Sequence, residues 1–136
     1  MLTAATTTPT PSPEYQETVI RVVDGDTFQI SALWNPYPNL EWKVRILGID
    51  TPEKGTLAKC SRESDLSHQA QDLTTKLIAE SNGHVVLRNV NHDKYGGRLD
   101  ANVYLSDGRS LGQELLNSKL ARPYNGSGPK PNWCFK

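Results

Sequence analysis

Between Ser61 and Glu80, Leu66, Ala70, Leu73 and Leu77 fall at i, i+4, i+7 and i+11, one face of an α-helix, and Asn82-Gly83 follows as a C-terminal stop. Strand period flanks this segment on both sides. Thr18 to Val23 and Thr27 to Leu33 read as paired strands about the Asp24-Gly25 turn, a strong hairpin signal. Trp34 to Leu40 holds two prolines and reads as a loop, after which Glu41 to Leu47 resumes the sheet. Beyond the helix, His84 to Val90 and Leu99 to Leu105 are two further strands. Ser110-Leu-Gly-Gln113 has capping-box form and opens a second helix carrying Leu111, Leu115, Leu116 and Leu120. Three strands, a helix, two strands and a helix make an α+β chain. That order is compatible with a small Greek-key barrel, although periodicity alone does not choose the barrel over an open sheet.

The length and an apolar fraction of 36% suit one modest core. Residues 17–124 read as that single domain. Residues 1–16, rich in Thr, Pro and Ala, read as a disordered arm, and the stretch from Arg122 through Asn-Gly-Ser-Gly-Pro-Lys-Pro-Asn as irregular, leaving 125–136 as a tail. No apolar run is long enough for a membrane span, and the N-terminus lacks the basic start and apolar centre of a signal peptide. A Thr/Pro arm is the kind of spacer that separates a removed export signal from a folded domain, which points to a secreted or periplasmic protein; a ragged terminus of a cytoplasmic protein is the alternative. A formal net charge of +0 excludes a broadly basic nucleic-acid glove. The charge is nonetheless uneven: from His84 to Lys136 there are 8 Lys and Arg against 4 Asp and Glu, and in the remainder 7 against 11.

Part of the acidic excess lies in two turns. Trp42, Val44 and Ile46 alternate with Lys43, Arg45 and Leu47, after which Gly48 and Pro52 end the pattern and take Asp50-Thr51-Pro52-Glu53 out of the sheet. A solvated acidic turn would look the same, but Asp50, the Thr51 carbonyl and Glu53 are also hard oxygen donors of the kind Ca²⁺ or Mg²⁺ prefers. Asp24-Gly25-Asp26-Thr27 is a second acidic turn upstream. These two stretches, followed by Asp93-Lys-Tyr-Gly-Gly-Arg98, resemble the thermonuclease (staphylococcal nuclease) family over residues from about Val19 to Tyr124.

The resemblance implies an OB-fold five-stranded β-barrel with helices packed on it. It implies Ca²⁺ held by Asp26, Asp50 and the Thr51 carbonyl, Glu53 as general base, and Arg45 and Arg98 as guanidinium clamps on phosphate. It places Lys94 and Tyr95 beside the nucleotide phosphate and sugar, with Tyr124 stacking on a base. The implied activity is sugar-nonspecific hydrolysis of DNA and RNA leaving 3′-phosphate ends, by a monomer; a catalytically silent OB module binding single-stranded nucleic acid or a protein is the alternative. Asp24 and Asp93 read as turn formers, and the scattered His68, His84 and His92 take no role. One departure stands out: Tyr95-Gly96-Gly97-Arg98 carries one glycine more than the family's Tyr-Gly-Arg, which displaces the arginine unless the turn absorbs it. The only cysteines, Cys60 and Cys134, would as a disulfide pin the tail beside the acidic turn; two unrelated buried thiols are the alternative.

Overall fold

The first strand serves two neighbours. In the computed structural model, which describes residues 13–31, 41–92 and 98–135, β1 (Glu14–Asp24) pairs through Glu14 to Thr18 with β5 (His84–His92) and through Val19 to Asp24 with β2 (Thr27–Ser31). Register shifts between Val19 and Arg21 and between Val22 and Asp24 bend the strand from one partner to the other, as bulges do. With β3 (Glu41–Ile46) and β6 (Arg98–Leu105) the result is a closed five-stranded barrel in the order β1-β2-β3-β6-β5. All its pairings are antiparallel except β3 with β6, which is parallel and therefore needs the long crossover through the helix and β5. This is the α+β OB-type barrel with two helices that the resemblance implies.

Strand alternation fills the barrel. Leu99, Ala101, Val103 and Leu105 of β6 point inward and meet Phe28, Ile30, Val44, Ile46, Val85 and Leu87 from the other strands. The first helix, α1 (Ser61–Glu80), closes one side of this core with Ala70, Leu77 and Ile78, while Leu66 and Leu73 pack at its edge. Its buried face is rotated from the expected leucine stripe and includes Thr74, whose hydroxyl donates to the Gly25 carbonyl at 2.7 Å. A satisfied hydroxyl is as well suited to that contact as a methyl group, so apolar periodicity missed it. α1 is followed, after Ser81, by Asn82 and Gly83, both at positive φ. The second helix, α2 (Leu111–Asn117), is capped by Ser110, whose Oγ accepts from the Gln113 N–H at 3.2 Å. Leu120 is buried as expected but lies beyond the helix end.

The ends of the chain depart from expectation. β1 begins at Glu14, inside the stretch read as a disordered arm, because its first residues are held by backbone pairing and by a 2.6 Å Glu14–Arg88 ion pair rather than by apolar side chains. Residues 1–12, the expected proline loop at 34–40, and Asp93 to Gly97 lie outside the described residues. Asp50 does not leave the sheet at once: β4 (Ile49–Asp50) pairs with β7 (Arg122–Pro123), so the region after Arg122 starts with an ordered bridge. Trp133 is 2% exposed, and Cys134 is bonded to Cys60, 74 residues earlier in the chain.

That bond closes a loop long enough for the chain-entropy estimate to reach about 4 kcal/mol at most. Combining Cys60→Ser with Cys134→Ser should lower unfolding free energy in urea by up to that amount, since the hydroxyl introduced at the first position preserves the cap that Cys60 Sγ now gives to the Glu63 N–H. Identical midpoints for the oxidised parent and the double variant would show that the bond contributes nothing to stability.

Candidate active site

Backbone register brings the first acid to the first arginine. Thr27 of β2 faces Arg45 of β3, and because Val44 and Ile46 point into the core, Arg45 points to the outer face, where Asp26 lies at the mouth of the hairpin. Arg45 Nη2 sits 3.5 Å from Asp26 Oδ2 and 3.5 Å from Asp50 Oδ1. One guanidinium thus bridges two carboxylates that are 7% and 2% exposed. Asp26 also accepts from the Thr27 hydroxyl at 2.9 Å, and Asp50 from the indole N–H of Trp133 at 3.3 Å.

Gly25 allows the hairpin to approach this closely. A Cβ there would lie 2.6 Å from Ala70 Cβ and 3.2 Å from Thr51 Cγ2, so glycine lets the Asp26 turn press against α1 and against the residue that follows Asp50. Thr51 itself is buried.

Glu53 follows Pro52 on the same turn and is held from two directions. Its N–H donates to Glu63 Oε2 at 3.0 Å, and its own Oε1 accepts from Lys130 Nζ at 3.1 Å. Lys130 Nζ also lies 3.9 Å from Asp50 Oδ1. Burial lowers the Lys130 pKa, but the hydrogen bond to Glu53 and the charges of Glu53 and Asp50 outweigh it and set the net direction upward. Glu63, 5% exposed, accepts with its other oxygen from the Lys59 N–H at 2.8 Å and so ties down both ends of the loop after the acidic turn. Lys54 ties the start of that loop to the first hairpin, donating to the Val23 carbonyl at 2.6 Å and pairing with Asp24 at 3.4 Å. Asp24 is therefore the last residue of β1, paired with Thr27 across the Gly25-Asp26 turn, and its carboxylate has a structural partner in Lys54.

Among the sequence candidates, Asp26, Arg45, Asp50, Thr51 and Glu53 come together. Arg98 begins β6 opposite Lys43, two residues before Asp100, the register partner of Arg45; it shares the outer face with Arg45. Tyr124 follows β7 directly, with its N–H on the Gly48 carbonyl at 2.9 Å and its hydroxyl on the Gly128 carbonyl at 2.8 Å. Lys94, Tyr95 and the extra Gly97 lie outside the described residues. The three histidines are apart: His68 bonds within α1, His84 faces Thr18 and His92 packs on Trp42. Sequence reading missed Glu63, Lys130 and Trp133. Glu63 had a signal, since Cys60-x-x-Glu63 is a capping-box pattern with sulfur in the cap position. Lys130 and Trp133 had none, because 77 and 83 residues separate them from their partners.

The family model for staphylococcal nuclease homologues matches residues 43–132. The chain belongs to that family. The matched span starts at β3, so the Asp26 hairpin is joined to the site by the geometry above rather than by the match. No curated protein matches the chain. Family membership makes this a nuclease-like OB-fold domain.

Electrostatics leaves room for a cation. Burial raises the pKa of Asp26 against the lowering pull of Arg45 and the Thr27 hydroxyl, with Asp24 and Glu53 adding to the rise. Burial likewise raises Asp50 against the Trp133 hydrogen bond, with Asp26 adding to the rise and Lys130 and Arg45 opposing it. One guanidinium does not neutralise two buried carboxylates, and the surplus negative charge suits a hard divalent ion. Among the described residues no three His, Cys, Asp or Glu side chains form a metal cluster. An ion here would draw on Asp26, Asp50 and the Thr51 carbonyl.

The raised pKa values carry a sign. A carboxyl that holds its proton more tightly folded than unfolded adds stability below the unfolded pKa, and that contribution is lost as pH rises through the folded one. In chelator, the melting temperature of Asp26→Asn relative to the parent should therefore climb as pH rises above the ordinary Asp pKa of about 3.9. A difference that stays flat with pH would show that Asp26 carries no burial cost.

Proposed function

We infer that the protein is a Ca²⁺-dependent, sugar-nonspecific endonuclease that hydrolyses phosphodiester bonds of DNA and RNA and leaves 3′-phosphate ends. The observation that carries this reading is the single Arg45 guanidinium shared by Asp26 and Asp50, with Glu53 on the next turn. Phosphodiester hydrolysis needs a nucleophilic water, positive charge on the non-bridging oxygens and donors that fit the five-coordinate transition state better than the ground state.

Glu53 is the general base, taking a proton from the attacking water. Glu63 fixes its backbone, and because Glu53 is partly exposed, solvent reaches it. Arg45 presents a planar fork at the rim of the acids, and Arg98 on the same outer face is the second clamp; two guanidiniums suit the developing dianion better than lysines would. When bound by Asp26, Asp50 and the Thr51 carbonyl, Ca²⁺ supplies positive charge beside the phosphate. Tyr124 stacks on a base, and Lys94 and Tyr95 contact the nucleotide. The domain works as a monomer. The disulfide fits an oxidising compartment, hence a secreted or periplasmic protein. Among the described residues no helix is long and apolar enough to cross a membrane.

Single-stranded DNA and RNA should both be cleaved in Ca²⁺ and left intact in excess chelator; cleavage that persists in chelator removes the metal from the mechanism. Zn²⁺ should substitute poorly, since the donors are all oxygen.

Glu53→Gln should lose about 10²- to 10⁴-fold in kcat, the range for a general base. Arg45→Ala should lose about 10²-fold or more, the loss expected for a transition-state donor. Turnover close to the parent's in a variant with an unchanged circular dichroism spectrum would remove that residue from its role.

A further inference from the structure

The residues after β7 look like a loose end in sequence, yet they reach the centre of the site. Gly126 and Gly128 take positive φ, and Asn125 to Lys130 are exposed, so apolar packing does not hold that stretch. Three contacts hold it at its ends. Cys134 is bonded to Cys60 at the cap of α1. Trp133 is buried with its indole N–H on Asp50. Arg122 lies over the Trp133 ring at 4.3 Å and donates to the Asn132 carbonyl at 2.7 Å. Together these bring Lys130 over the acids, 3.1 Å from Glu53 and 3.9 Å from Asp50.

A lysine there has little to do with stability. Its side chain is 50% exposed and that of Glu53 30%, and ion pairs so open to solvent contribute little. Charge gives it a different task. Asp26, Asp50 and Glu53 carry three negative charges, which Arg45 and a divalent ion together only balance. A phosphodiester is itself an anion, so beyond the second clamp at Arg98 this balanced centre offers it no net attraction, and one more cation adds to it. An ammonium on a flexible stem, in a weak pair with the general base, can exchange that carboxylate for a phosphate oxygen at little cost and leave Glu53 free to accept a proton.

We propose that Lys130 is a substrate-binding residue that contacts the phosphate of the bound nucleic acid, delivered to the site by a C-terminal segment clamped through Trp133 and the Cys60–Cys134 bond. The proposal rests on the nuclease reading, deepens it, and makes Trp133 a positioning residue.

The test separates charge from fold. In a Glu53→Gln background with Ca²⁺ present, fluorescence anisotropy of a labelled single-stranded oligonucleotide is measured over a salt series, with and without Lys130→Ala. Losing one phosphate contact should weaken binding and reduce the slope of log K against log salt by about 0.7, the value per contact for single strands. Lys130→Arg should keep the slope, and Lys130→Gln should lose it. In the Glu53-intact protein, Lys130→Ala should bind Ca²⁺ more tightly by calorimetry, since a competing cation beside Asp50 is gone, while kcat/KM falls about tenfold, as for a contact worth roughly 1.4 kcal/mol. A merely structural lysine would weaken both ligands or neither. The serine double variant should lose part of the same slope with its barrel intact. An unchanged slope in Lys130→Ala, or faster cleavage by it, overturns the proposal, the latter by showing the lysine to be an inhibitory plug. A parent that binds oligonucleotide with the expected Lys130 dependence but never cleaves would instead overturn the nuclease reading and leave Lys130 as a phosphate contact.

Discussion

Two carboxylates buried beside one guanidinium set the terms for the rest of this molecule. Unpaired, each would cost several kcal/mol to take out of water. Asp26 and Asp50 share Arg45 at equal distances, and each adds a local donor, the Thr27 hydroxyl or the Trp133 indole. The barrel makes the arrangement possible. Val44 and Ile46 face the core, so the intervening Arg45 must face outward, and register with β2 places it next to the Asp26 hairpin. The same alternation that gives the fold its core therefore gives the site its cation.

Around this centre the supports come from elements far apart in sequence. Glu63 on α1 fixes the loop from Glu53 to Lys59, Lys54 returns that loop to the first hairpin, and Thr74 ties α1 to Gly25. Each is a hydrogen bond between a side chain and the backbone of another segment. Their effect is to hold three acids of like charge near one another, an arrangement that stability alone would not select and that sites for charged ligands commonly show.

The C-terminal segment is the least expected part of the molecule. In a small domain the end of the chain is usually the most easily lost element. Here β7 pairs with β4, Trp133 is buried and Cys134 is bonded beside the acidic loop. Any fluctuation that released the tail would remove a donor from Asp50 and a cation from Glu53 together, so local order in the tail and charge balance in the site are linked.

Periods in the sequence were enough to place both helices and the five barrel strands to within a few residues, because alternation and the 3.6-residue repeat are imposed by which faces must be dry. The acidic turns were legible too, since Asp-Gly and Asp-Thr-Pro-Glu mark turns through local backbone chemistry. Barrel closure was beyond periodicity alone, because the Glu14–Thr18 half of β1 is polar and is held by backbone bonds that any side chain permits. Family resemblance supplied the barrel and the grouping of Asp26, Arg45, Asp50 and Glu53. Only the tertiary structure brought in Glu63 as an anchor and Trp133 and Lys130 as neighbours of the acids. Sequence by itself determines what is local: the pattern of faces, caps and turns. Contacts across 77 and 83 residues leave no such periodic trace, and the closing of the barrel, the disulfide and the stacking of Arg122 on Trp133 decide them.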